Sequence, residues 1–258
     1  VPPRLDVTPS TRAFGRGLIA LTLAVSFTGC GAGSRAADSE VTVLAAASLT
    51  DVFEDLGTAF EAEYDDVSVT FSFGSSSELA GQAADGAPGD VLATADRASI
   101  DVAQDAGVGG EIVPFATNEL TIVTPPGNPA DVRSLADLTG TTWVRCAEEA
   151  PCGRVATALL EDAGVAAEPA SLEEDVRATL DKVASGEAEA GLVYVTDAVA
   201  AGDSVEAIDI PGADAASTTH YVTVLEQSGS PELAQRWVDF VVSERGRAIL
   251  DDAGFEAP

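Results

Sequence analysis

From Glu40 onward the chain alternates short apolar runs with stretches of helical periodicity, and this alternation constrains its fold more than any other feature. Val41-Thr42-Val43-Leu44-Ala45 reads as a buried strand, after which Leu49, Val52, Phe53, Leu56 and Phe60 recur along one helix face. Val67 to Phe73 alternates as a second strand, and Leu79 to Ala84 reads as a short helix closed by Asp85-Gly86-Ala87-Pro88-Gly89. Asp90 to Thr94 is a further strand and Ile100 to Ala106 a further helix. Strands follow at Leu120 to Val123 and Ala190 to Val195, with helices at Val155 to Asp162, Val176 to Ala184 and Pro231 to Ala253. Such a succession predicts an α/β fold with largely parallel sheets. Ligands of such sheets gather at the carboxyl ends of strands, where helix N-termini present unpaired N–H groups.

The 258 residues suffice for one large domain or two lobes, and the Pro125 to Pro129 break is too short to tether separate domains. Lys and Arg total 13 against 43 Asp and Glu, a formal net charge of -30. Nucleic-acid affinity rests on neutralising phosphates with Lys and Arg, so DNA and RNA partners are excluded. A single histidine, His220, cannot build a His-based metal cage. The acidity belongs on the solvated surface, where it favours solubility.

Residues 1–29 have the pattern of a signal peptide. Arg4, Arg12 and Arg16 precede the apolar run Gly17 to Phe27, which is too short to span a bilayer stably. The run ends at Phe27-Thr28-Gly29-Cys30, similar to a bacterial lipoprotein cleavage site. That resemblance implies cleavage before Cys30, lipid on its sulfur, and a flexible tether over residues 30–39 at the outer face of the cell membrane. The competing reading is a secretory peptide cut nearby with Cys30 incidental. Both place the protein outside the cytoplasm. In that oxidising setting Cys146 and Cys152, in CAEEAPC, pair as a short-loop disulfide and leave Cys30 as the odd one. A catalytic thiol is the alternative, although only Arg145 and Arg154 lie near to activate it.

Two Ser-rich junctions follow predicted strands. Ser48 and Asp51, in AAASLTD, have the spacing of a capping box, as do Ser75 and Glu78 in FGSSSE. Each alone reads as an ordinary helix cap. Two in succession point toward an anion site, because small residues let an anion reach backbone N–H groups and a hydroxyl adds a donor.

The runs AAASLTDVFEDL and FSFGSSSELAGQAADGAPGDVLATAD closely resemble the periplasmic molybdate-binding proteins of ABC importers. Downstream, PCGRVATALL, EEDVRATLDKVASGEAEAGLVYVTDA and the terminal AGF keep the same order and spacing, so the resemblance covers residues 40–258. It implies a two-lobed periplasmic-binding-protein fold (type II), with the ligand cleft between lobes joined by two crossing strands. One lobe takes residues 40–117 plus 223–258 and the other 118–222, with crossovers before the Asn118 strand and after His220-Tyr221. The implied protein is a monomer, without cofactor or enzymatic activity, that captures molybdate, and also tungstate, for the membrane permease of an ABC importer. Its implied ligands are the hydroxyls of Ser48 and Ser76, the backbone N–H groups of Cys152 and Val176, and the phenolic O–H of Tyr194. No residue is a direct cation ligand, because the metal arrives as an oxyanion. The Cys152 position is more usually a small residue such as Ala, but a backbone donor tolerates a side chain that points away.

Donor chemistry fits this implication. Charges beyond a Debye length of roughly 8 Å are largely screened, so a chain at -30 still binds a dianion when local N–H and O–H donors face it. Asp175 is the expected cap of the helix carrying Val176, with Ser171 and Glu174 as a competing box. Trp143 and Trp237 read as core residues, Glu148 and Glu149 as solvent-facing, and the acidic runs at Glu61 to Asp66 and Glu173 to Asp175 as solvated faces. The alternatives are a site for sulfate or another tetrahedral oxyanion, and an extracytoplasmic serine hydrolase. The hydrolase needs a base beside Ser48 or Ser76; His220 is the available histidine, read here as a surface or hinge residue in the absence of a G-x-S-x-G elbow.

Overall fold

The computed structural model describes residues 39–258. The signal peptide, Cys30 and nearly all of the expected tether lie outside the described residues. Strand β1 (Ser39–Ala46) takes up Ser39, the last residue assigned to that tether. It is followed by α1 (Thr50–Glu61), β2 (Val67–Gly74), α2 (Ser76–Ala84), β3 (Val91–Thr94), α3 (Arg97–Asp105) and β4 (Val113–Asn118). The chain then continues through β5 (Leu120–Thr124), β6 (Trp143–Cys146), α4 (Pro151–Asp162), β7 (Ser171–Glu173), α5 (Val176–Ala184), β8 (Ala190–Tyr194), α6 (Val195–Ala201) and β9 (Glu206–Ile208). It returns by β10 (Thr218–Val224) and ends with α7 (Pro231–Val241) and α8 (Glu244–Asp252).

The strands form two five-stranded sheets, in the orders β2-β1-β3-β10-β4 and β7-β6-β8-β5-β9. β1 runs parallel to β2 and β3, and β6 parallel to β7 and β8. The expected parallel arrangement fails at one strand in each sheet. β10 is antiparallel to β3 and β4, and β5 is antiparallel to β8 and β9. Each of these two strands is the one that has just arrived from the other sheet. The return comes earlier than the sequence division placed it: Thr218 pairs with Asn118 and Val222 with both Val113 and Ala93, so residues 218–222 belong to the first sheet. The buried positions of β10 are Thr218, His220, Val222 and Thr223, and three polar side chains among four hide the strand from an apolar pattern.

Each sheet carries its own core. Around the first, Val52, Phe53, Leu56 and Phe60 of α1 are buried at helical spacing and meet α7. Trp237 sits among Phe53, Phe60, Phe71 and Phe240, with ring centroids 5.7, 5.4, 5.7 and 6.5 Å away. Around the second, Trp143, Ile122, Leu192 and Val183 are fully enclosed. The single C-terminal helix expected over residues 231–253 is two. Ser243 caps the second by accepting from the Gly246 N–H at 3.1 Å, and a Cβ on Gly246 would lie 2.3 Å from the Phe240 carbonyl. The chain therefore breaks and turns where α8 packs tightly on the end of α7.

Replacing a fully enclosed aromatic by alanine removes its transfer energy and leaves a cavity. Trp237→Ala should cost about 3–5 kcal/mol of folding stability. A urea unfolding midpoint close to that of the parent would show the aromatic cluster to be peripheral.

Candidate functional site

At the carboxyl end of β1 a single 3₁₀ turn (Ala47–Leu49) holds Ser48, 8% exposed. Neither expected capping box forms: Ser48 lies inside the turn before α1, and the Ser75 side chain makes no cap bond to α2. The Ser48 hydroxyl instead meets His220 Nε2 on β10 at 3.2 Å. Ser76 opens α2, and its hydroxyl accepts from the Ala95 N–H at 3.0 Å, which leaves its own hydrogen free to donate.

The second sheet supplies the facing side. α4 starts at Pro151, one turn earlier than periodicity indicated, so Cys152 is in its first turn. Proline fits the first helical position because its missing N–H has no acceptor there in any case. A disulfide joins Cys152 to Cys146 at the end of β6, with their Cα atoms 5.7 Å apart. A Cβ on Gly153 would lie 1.8 Å from the Ala147 carbonyl, so only glycine lets α4 start this close to β6. α5 starts at Val176 as expected, with Asp175 Oδ1 accepting from the Ala178 N–H at 2.9 Å. Ser171 lies in β7 and does not compete as a cap; its hydroxyl donates to Glu173.

These local features converge. Ser48, Ser76, Cys152, Val176 and Tyr194 line one small cavity, with Ala46, Ala47, Gly74, Ala95 and Pro151 among the small residues between them. The first turns of α2, α4 and α5 carry N–H groups that no intrahelical carbonyl satisfies, and the positive ends of all three helix dipoles face the same space. Tyr194, at the end of β8, is 1% exposed and its hydroxyl has no hydrogen-bond partner. Burial, reinforced by Asp96 and Asp197, raises that phenol well above its usual range, so it keeps its proton and remains a donor. Among the described residues no group of three His, Cys, Asp or Glu side chains is placed to hold a cation. The chemistry of the cavity is that of an anion cradle.

Four further side chains lie around it that sequence reasoning did not single out for the site: Asp197, Arg154, Arg177 and Ser77. Asp197, behind Tyr194, accepts from the Tyr194 N–H at 3.3 Å. Burial pushes its carboxyl up to about 8 against the opposing pull of Arg177, so near neutral pH it is largely protonated and does not oppose an anion. Arg154 of α4 reaches across the cavity mouth to Asp96, the cap of α3, at 2.6 Å, and to Ser99 at 3.1 Å. On another side Arg177 of α5 meets Asp51 of α1 at 2.7 Å. Ser77 also donates to the Glu149 carbonyl across the same gap. No short motif marks the Arg154–Asp96, Arg177–Asp51 and Ser77–Glu149 pairs, because each joins residues far apart in the chain.

His220 is not a surface residue. It is fully buried on β10, edge-on to Phe115, Tyr194 and Phe255. Its contact with Ser48 supplies the nucleophile–base pair that a hydrolase requires, but Nδ1 has no partner to orient and charge-balance the ring. Burial holds the imidazole down at about 3, only partly offset by Asp96. Glu148 and Glu149 are exposed, as expected.

Two α/β sheets linked by two crossing segments, with a cavity at helix N-termini between them, form the type II periplasmic-binding-protein fold. The chain belongs to the bacterial extracellular solute-binding protein family, whose model matches residues 41–256. It is 40% identical to the molybdate-binding protein ModA of Mycobacterium tuberculosis, over 94% of this chain and 97% of that one. The fold is shared with the periplasmic molybdate-binding protein of Azotobacter vinelandii, at a TM-score of 0.73 and 20% identity over 84% of this chain and 99% of that one. It is likewise shared with the sulfate-binding protein SubI of Mycobacterium tuberculosis, at a TM-score of 0.74 and 19% identity over 85% and 87% of the two chains.

Because the folded imidazole titrates near 3 and a free one near 6.5, the unfolded chain takes up a proton that the folded chain refuses. The contribution of His220 to stability is therefore complete above pH 6.5 and lost as pH falls toward 3. His220→Gln should flatten this part of the acid limb relative to the parent. Identical acid limbs in a pH series of thermal unfolding would contradict it.

Proposed function

We propose that this protein captures molybdate outside the cytoplasm and delivers it to the membrane permease of an ABC importer. The observation that carries the reading is the convergence of Ser48, Ser76, Cys152, Val176 and Tyr194 on one small cavity, with a buried, partnerless Tyr194 hydroxyl among them. The 40% identical relative named for molybdate binding supports the choice of anion. Tungstate fits the same donors, since the two tetrahedral oxyanions share hydrogen-bond geometry. Sulfate is the second reading, favoured by the shared fold of a sulfate-binding protein. A cavity of donors rejects hydrogen phosphate, whose O–H would face another donor.

The working model is a monomeric carrier rather than an enzyme, tethered through lipid on Cys30. One lobe is built on the first sheet and the other on the second, with the segments around Glu119 and between β9 and β10 as hinges. Arg154–Asp96 and Arg177–Asp51 then hold the closed form from two sides of the mouth. His220 does not serve as a base in this model, and ester turnover is not expected. Two crossing segments make a hinge, so ligand should compact the protein. Scattering curves left unchanged by saturating molybdate would argue against closure.

Removing one hydroxyl that donates to a charged acceptor should cost roughly 1.5–3 kcal/mol, about ten- to a hundredfold in affinity. Ser48→Ala, Ser76→Ala and Tyr194→Phe should each weaken molybdate binding by that factor and leave the fold intact. Val176→Ala should change little, because its N–H survives. Calorimetry of the four variants, with sulfate, tungstate and phosphate as parallel ligands, tests the assignment. Near-parental affinity in all three hydroxyl variants would put the ligand elsewhere.

A further inference from the structure

His220 belongs to no donor set described above, yet its position is specific. It lies on β10, the strand that returns from the second sheet to the first, and its Nε2 is 3.2 Å from Ser48 Oγ. The ring is fully buried between Phe115 of β4, Tyr194 at the end of β8 and Phe255 near the C-terminus. It therefore touches one cavity hydroxyl through a hydrogen bond and packs edge-on against the ring that bears another. Nδ1 is buried without a partner. A charged imidazolium is costly in this apolar enclosure; the one charged group that acts on it is Asp96, already paired with Arg154. The ring is accordingly neutral and carries a single N–H.

The choice of nitrogen for that hydrogen decides what Ser48 can do. With the hydrogen on Nδ1, Ser48 turns its only proton toward Nε2 and presents a lone pair to the cavity. With the hydrogen on Nε2, Ser48 accepts from the ring and its own proton points to the anion. An oxyanion held by Ser48 permits only the second arrangement, because a hydroxyl has one hydrogen to give. The resulting chain, Nε2–H to Oγ and Oγ–H to the anion, is mutually polarising, so each bond strengthens the other.

We propose that His220 is the positioning residue for Ser48: its Nε2–H tautomer orients the Ser48 hydroxyl as an anion donor, and anion binding selects that tautomer. This rests on the reading of Ser48 as a ligand. His220 does not touch the anion. It sets the direction of a bond made by another residue, and it does so from the strand on which the chain crosses back.

His220 is the only imidazole in the chain, so the ring nitrogens of untagged, ¹⁵N-labelled protein give unambiguous resonances. In the molybdate complex Nε2 should be protonated and Nδ1 bare, unchanged from about pH 5 to pH 8. A complex with the proton on Nδ1, or with a doubly protonated ring, overturns the proposal. A double-mutant cycle provides the second arm. His220→Gln keeps an N–H donor near the Nε2 position and should bind within about twofold of the parent, whereas His220→Leu should lose about two- to tenfold. In a Ser48→Ala background His220→Leu should cost nothing further. Equal losses in both backgrounds would make His220 a packing residue and overturn the proposal. Parental affinity in Ser48→Ala alone would remove Ser48 from the ligand set, which is a failure of the earlier reading and visible as such.

Discussion

The structure depends on a surplus that every helix leaves behind. The first turn of a helix has N–H groups with no carbonyl to receive them, and burying them unpaired is costly. Here the first turns of α2, α4 and α5 open onto one cavity instead of onto bulk solvent or separate caps. Asp175 satisfies one N–H of α5, and Pro151 removes one donor from α4. What remains converges on one small, donor-lined space. The surrounding choices follow from this: small residues on the walls, a glycine that lets α4 start against β6, and a phenol kept protonated by burial.

The same logic explains how a chain at -30 tolerates the proposed anion site. Partial charges on fixed amides act over a few ångströms, whereas the surface carboxylates act through screening water. The carboxylates close to the cavity are handled in three ways. Asp96 and Asp51 are paired with arginines from the opposite side, Asp175 is occupied as a cap, and Asp197 is neutralised by its own burial. Net charge is a poor guide to what a protein binds when the charges near the site are handled one by one.

Much of the fold was legible from residue order, because buried strands and amphipathic helices each leave a period. The errors fell in particular places. α2 and α4 were read as starting at Leu79 and Val155, one turn late, because their first turns, Ser76-Ser77-Glu78 and Pro151-Cys152-Gly153-Arg154, are small or polar. Those turns border the cavity at Ser76, Pro151 and Cys152 and carry little of the apolar period that marks a helix. α5 was read correctly, since Asp175 announces it. The five residues that the resemblance implied lie in recognisable runs, and the fold brings them to one cavity. The surface reading of His220 fails because its partner Ser48 is 172 positions away, and no local pattern records such a contact. β5 was expected as a strand at Leu120 to Val123, but its antiparallel direction, like that of β10, was not legible for a related reason: strand direction is a property of the crossing, not of the residues.

The interleaved strand order also has a consequence for synthesis on the ribosome. β4 enters the first sheet only through β10, which is made some hundred residues later, as the positions Val113–Asn118 and Thr218–Val224 indicate. Until β10 emerges, β3 is an open edge and β4 has no neighbour in its sheet. The second sheet, by contrast, has all five of its strands within residues 120–208. The middle of the chain can complete its hydrogen-bonded sheet before the beginning can. Translation thus runs N-terminus first while sheet completion runs from the centre outward, and an unpaired edge on the nascent first sheet is the interval in which this chain is most open to binding a stranger.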